Sequence, residues 1–133
     1  MLTMGADQII LTGKQYIGTP YVFNSPPYQT KTFDCSSFIQ YIFGVHGINL
    51  PRSSRQQFKK GVPVSYKKIK RGDLLFFTTK ARMNRKGISK IGHVAIYIGN
   101  NQMLHTHRQG KKVMISEINP YWNSVFVGAK RVV

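Results

Sequence analysis

A chain of 133 residues, 41% of them apolar and including eight Phe and seven Tyr, is long enough for one packed core and short for two. Twenty Lys and Arg against four Asp and Glu give a formal charge of +16, a field that draws anions and repels cations. No apolar run approaches the roughly 20 residues of a bilayer span, and Met1 to Ala6 lacks the basic-then-apolar order of a leader. The single cysteine excludes an internal disulfide.

Residues 7–17 carry Ile9, Ile10, Leu11, Tyr16 and Ile17 at helical spacing, so a short first helix is expected, ending at Gly18 before Pro20. From Pro20 to Thr32, Pro, Asn, Ser and Thr predict a surface loop. Asp34-Cys35-Ser36-Ser37 then precedes Phe38, Ile39, Ile42, Phe43 and Val45, which predicts a helix starting at its polar end and stopping by Gly47. Ser53 is an N-cap candidate for a short basic helix through Gln56, Gln57 and Phe58, closed by Gly61.

Beyond Asp73 the pattern changes. Leu74 to Phe77, Val94 to Ile98, Met103-Leu104, Val113 to Ile115 and Val125 to Val127 read as strands of an antiparallel sheet, with a hairpin turn at Gly99-Asn100-Asn101. Helices first and strands afterwards predict α+β architecture, one domain over 1–133, with the second helix packed on the sheet. Lys80 to Lys90 is predicted to be an exposed basic loop.

A thiol reacts as its thiolate, and a helix N-terminus lowers its pKa below the free value of about 8.5. Cys35 has that predicted position; a small buried hydrophobe is the bland reading of a lone cysteine. His93 opens a strand, where a general base can meet a helix terminus. His105 lies across the hairpin, where antiparallel pairing can bring it close enough to orient His93. His46 and His107 read as surface or satisfied core residues. A Cys, His and His set can also hold zinc, but it needs a fourth ligand or an open position, and no compact ligand spacing is present. Neither a metal nor a cofactor is therefore expected.

Gly18-Thr19-Pro20-Tyr21-Val22-Phe23, Phe33-Asp34-Cys35-Ser36-Ser37, Leu50-Pro51-Arg52-Ser53-Ser54, Gln57, Gly61, Arg71-Gly72-Asp73-Leu74, Gly92 to Gly99 and Met103-Leu104-His105 stand in an order that resembles the NlpC family. This family belongs to the NlpC/p-sixty superfamily of bacterial cell-wall cysteine peptidases. The resemblance covers nearly the whole chain. It implies a papain-like α+β fold, with the nucleophile helix packed on an antiparallel sheet or small barrel. The implied activity is hydrolysis of peptidoglycan stem peptides by a D,L-endopeptidase, after γ-linked D-glutamate and before the diamino acid.

Carried over by motif, Cys35 is the nucleophile, His93 the base and His105 the third polar residue. Tyr21 and the Cys35 N–H would stabilise the oxyanion, and Asp34, Ser36 and Ser54 match positions that recognise the free amino end of the stem peptide. Asp34 also suits an ammonium ion physically, and also suits an N-cap. Where many relatives have Trp-Gly-Gly, this chain has Phe23-Asn24-Ser25 and a Pro-rich extension. An amidase or transpeptidase on another γ-glutamyl or peptide substrate therefore remains an alternative, as does a noncatalytic module binding an anionic polymer. The charge points to an anionic partner without choosing among nucleic acid, an anionic membrane face and a wall polymer, and the resemblance implies the wall polymer ahead of nucleic acid. The resemblance places the protein outside the cell or at its wall, with cytoplasmic action on recycled wall peptides as the alternative.

Overall fold

The structure, a computed structural model, describes residues 4–133. The first three residues, part of the start read above as unlike a leader, lie outside it.

Helix α1 spans Met4–Lys14, starting and stopping about one turn earlier than the apolar spacing predicts. The chain leaves it through i→i+3 bonds from the N–H groups of Gln15, Tyr16 and Ile17, so Tyr16 and Ile17 sit in a tightened exit turn. Helix α2 (Cys35–Val45) forms as its pattern predicts, burying Phe38, Ile39, Ile42 and Phe43. Helix α3 is a single turn, Ser54–Gln57, capped by Ser53.

Six strands follow: β1 (Val62–Val64), β2 (Leu74–Thr78), β3 (Ile91–Gly99), β4 (Gln102–Thr106), β5 (Val113–Glu117) and, after helix α4 (Pro120–Ser124), β6 (Phe126–Arg131). They form one sheet in the order β1-β6-β2-β3-β4-β5, with every neighbouring pair antiparallel. The β3–β4 turn has positive φ at both Asn100 (53°) and Asn101 (60°), the conformation that a two-residue hairpin demands.

Alternation along the strands divides the core. Leu74, Phe76, Val94, Ile96 and Leu104 pack with Ile9, Ile10 and the apolar side of α2. Leu75, Phe77, Ala95 and Met103 form a second cluster with Ile118, against which Trp122 and Phe126 pack. The α+β expectation, a helix on an antiparallel sheet, is what the chain forms. No helix among the described residues is long and apolar enough to cross a membrane.

Candidate active site

The geometry of Cys35 begins with its predecessor. Asp34 is extended and caps α2: its Oδ1 accepts the Ser37 N–H at 2.9 Å, and its own N–H donates to Ser37 Oγ at 3.0 Å. This reciprocal pair fixes where the helix starts and makes Cys35 its first residue. The N–H groups of Ser36 and Val94 approach the sulfur, which lies 4.0 Å from the Gly92 carbonyl oxygen.

His93 leaves β3 on the sheet face opposite the α2 core, directly across from Phe77. His105 is not its cross-strand partner, because β3 and β4 pair Ile96 with Leu104 and so set the two histidines on a diagonal. Their rings still meet, with His93 Nε2 2.8 Å from His105 Nδ1, and His105 Nε2 lies 2.8 Å from Ser116 Oγ. Both histidines are buried. With His93 Nε2 taken by His105, only Nδ1 is left to face a reacting group. For that nitrogen to carry a lone pair, Nε2–H must donate to His105 Nδ1, and His105 Nε2–H must then donate to Ser116.

Burial governs the charges. It pushes the Cys35 thiol up to about 11, with the Asp34 carboxylate adding to the rise and the nearby N–H groups and Arg52 opposing it. It holds the His93 imidazole down at about 3, and a charge on His107 would lower it further. His105 is likewise held well below its ordinary range by burial. The helix N-terminus thus does not bring the thiol below its free value as the sequence suggests: desolvation outweighs it, and thiol and imidazole rest as a neutral pair.

A cavity of about 480 Å³ opens on this pair, and Tyr21 contributes to its wall. Tyr21 is held by the bridge to Phe33 and by its N–H donating to the Lys111 carbonyl; its hydroxyl lies beside Arg108. Asp34, Ser36 and Ser54 do not line the cavity and are buried. Arg52 grips the Asp34 carboxylate with both nitrogens, at 2.6 and 3.1 Å, and also donates to Ser36 Oγ and the Ser25 carbonyl. Asp34 and Ser36 are thus satisfied within the protein.

Three residues enter the site without having been expected. His107, read as a surface or core residue, is half-buried in the cavity wall, its ring stacked 4.8 Å from that of His105. Trp122 stacks on His93 at 5.3 Å and shields it; its only sequence signal is the Asn119-Pro120 start of a five-residue helix. Ser116 shows only as a polar member of an alternating strand. His46 matches its expected surface place, bonding Thr12 Oγ1 at 2.7 Å.

The NlpC/P60 family model matches residues 18–131. A γ-D-glutamyl-L-lysine dipeptidyl-peptidase of Bacillus cereus is 37% identical over 97% of this chain, and the murein DD-endopeptidase MepH of Escherichia coli 31% identical over 89%. This chain spans only 37% of the first and 42% of the second. The crystal structure of an NlpC/P60 family protein from B. cereus superposes with a TM-score of 0.84 and 38% identity, covering 96% of this chain and 40% of that one. The architecture is therefore the papain-like one of these proteins, and the chain belongs to the NlpC/P60 family.

Proposed function

We propose that the protein is a cysteine peptidase of peptidoglycan stem peptides, a D,L-endopeptidase that cuts after γ-D-glutamate. The observation that carries this reading is the buried His93–His105 pair, which leaves one imidazole nitrogen to serve the lone cysteine that lines the same cavity as His93. The γ-D-glutamyl-L-lysine bond in one relative's name is of this D,L class, and the murein DD-endopeptidase, which is named for a different bond, supports peptidoglycan as the substrate.

The chemistry follows from a neutral resting pair. His93 Nδ1 takes the thiol proton as Cys35 sulfur attacks the γ-carbonyl, so charge appears only when the carbonyl oxygen becomes an oxyanion. The Cys35 N–H and the Tyr21 hydroxyl are the donors proposed for it. His93 then passes the proton to the departing amine, leaving a thioester that water, deprotonated by the same nitrogen, hydrolyses. His105 and Ser116 keep Nε2 protonated throughout. Asp34, Ser36 and Ser54 hold the free amino end of the substrate in this reading, which requires the amine to share the Asp34 carboxylate with Arg52.

The surface suits an anionic wall polymer as second partner. Three of the four carboxylates are each paired with an arginine: Asp7 with Arg71, Asp34 with Arg52 and Asp73 with Arg131. The other Lys and Arg side chains have only Glu117 to balance them, which favours action at the wall. Digestion of purified peptidoglycan, with the new termini identified by mass spectrometry, tests the function. New γ-D-glutamyl carboxyl termini are expected with the wild type and none with Cys35→Ala; equal release by the two proteins refutes the assignment.

A further inference from the structure

The sequence places Lys80, Arg82 and Arg85 in an exposed basic loop; Lys80 and Arg85 are indeed exposed, and all three also line the cavity. The β2–β3 connection and the β4–β5 connection leave the sheet at the same end. The first brings Lys80, Arg82 and Arg85 to the cavity and the second brings Arg108. No Asp or Glu lines that cavity.

Arg82 is anchored close to the reacting atoms. A Cβ on Gly92 would stand 3.2 Å from Arg82 Cδ, so the arginine stem lies against the residue that precedes His93 and whose carbonyl approaches the Cys35 sulfur. The Arg82 guanidinium spends one bond on the Ser89 carbonyl, and its positive neighbours are Arg55 and Arg85. Arg55 is tied to the Ile91 carbonyl at 2.6 Å, which fixes it in the cluster. Across the cleft, Arg108 lies 5.3 Å over the Phe23 ring, with the Tyr21 hydroxyl beside it, which places it at the rim. Like charges held together without a counterion repel one another, and an anionic ligand relieves that repulsion.

Resting on the peptidase reading above, we propose that Lys80, Arg82, Arg85 and Arg108 form a carboxylate-reading rim. The preferred substrate carries a free carboxylate on the residue that follows the scissile γ-glutamyl bond, and a cationic lysine there is disfavoured. Two sources supply that chemistry: the distal carboxylate of a diacidic diamino acid, or the α-carboxylate of a further γ-linked glutamate. Guanidinium groups suit this task because they present paired donors to a carboxylate.

The test compares kcat/KM for peptides that share L-Ala-γ-D-Glu and end in an amide. The next residue is L-lysine, meso-diaminopimelate or γ-linked D-glutamate, the last two each with the carboxylate free or amidated. Free-carboxylate peptides are expected to be cut roughly tenfold faster than their amidated forms and than the lysine peptide, the size of one charge-assisted contact. The gap should shrink at about 1 M salt, where screening cuts the reach of exposed charges to about 3 Å. Whichever free-carboxylate peptide is cut faster identifies the source. In Arg82→Gln/Arg85→Gln the ratio of free to amidated should fall to within about twofold, an effect read as a ratio and so independent of how much protein is folded.

Equal rates for free and amidated peptides with the wild type overturn the rim while leaving the peptidase assignment standing. A ratio unchanged in the double variant overturns it too. Failure to cut any of the peptides, together with inactivity on whole peptidoglycan, overturns the peptidase reading itself.

Discussion

Replacing Asp34 separates two roles assigned to one carboxylate. In the structure it caps α2 through Ser37, accepts from Ser36 Oγ at 3.3 Å and receives both nitrogens of Arg52. Asn keeps an oxygen for the Ser37 N–H and loses the ion pair. Because the Arg52 side chain is 31% exposed, solvent screens that pair, and Asp34→Asn should cost only about 1 kcal/mol. Ala also removes the cap, worth about 1 kcal/mol, and leaves the Ser37 N–H and the Arg52 fork short of partners, for a total of about 2–4 kcal/mol. At this chain length each kcal/mol moves the midpoint by roughly 3–6 °C, so thermal unfolding should place Ala about 6–24 °C below wild type and Asn a few degrees below it. An alanine variant that melts within about 2 °C of wild type would refute the structural role. Kinetics on the same proteins test the other role. If the substrate amine shares this carboxylate, N-acetylation should cripple cleavage by the wild type, and Asp34→Asn should erase that preference. Equal cleavage of free and acetylated peptide removes Asp34 from substrate recognition.

The neutral resting pair sets the pH behaviour. With the thiol up at about 11, alkylation of Cys35 by iodoacetamide should accelerate about tenfold per pH unit through neutrality, whereas a preformed thiolate–imidazolium pair would give a plateau. Burial depresses His93 and His105 in the folded state, so their contribution to stability is complete above the unfolded value of about 6.5 and is lost as pH falls toward the folded value, about 3 for His93. The midpoint should accordingly drop on acidification below about pH 6.5; a flat profile down to about pH 4 contradicts the buried neutral pair. In the relay, Ser116→Ala should lower kcat several-fold with KM little changed, and His105→Ala should lower it by roughly ten- to a hundredfold. His105→Asn or Gln should retain more activity than Ala; identical rates for all three would mean that His105 does not orient His93. Sedimentation with whole walls should fall steeply between about 0.1 and 1 M salt, and tighter binding to duplex DNA under the same conditions would make nucleic acid the leading partner.

Local signals were legible and nonlocal ones were not. In α2 the cap, the first turn and the apolar period lie within a dozen consecutive residues, so start, stop and buried face could all be read. Strand β1 is Val-Pro-Val at the sheet edge, too short for any period and carrying a proline that an edge alone tolerates. Strand β6 runs on through Lys130 and Arg131, charged residues that by themselves suggest its end. What carries it further is pairing with β1 and β2 on either side, together with the Arg131 fork on buried Asp73.

The same division holds within the site and explains why the loop, exposed as expected, gave no sign of also lining the cavity. Cys35 and His93 announce themselves through their immediate neighbours, whereas Trp122, Ser116 and His107 matter only because the β4–β5 pair and α4 fold back over β3. The loop cations depend on the fold in the same way. A run containing Lys80, Arg82, Arg85, Lys86 and Lys90 has no direction in sequence, so solvation was the natural reading of all five. Once the β2–β3 connection is closed against Gly92, Lys80, Arg82 and Arg85 face the cavity, whereas Lys86 and Lys90 do not line it. The cleft then gathers positive charge at the point where His93 must stay neutral. Burial and His107 hold the imidazole down, and each cation at the cavity stabilises an oxyanion or carboxylate arriving beside it. Burial therefore keeps the base unprotonated while the site is empty, and the gathered cations favour the substrate whose anionic groups offset their field.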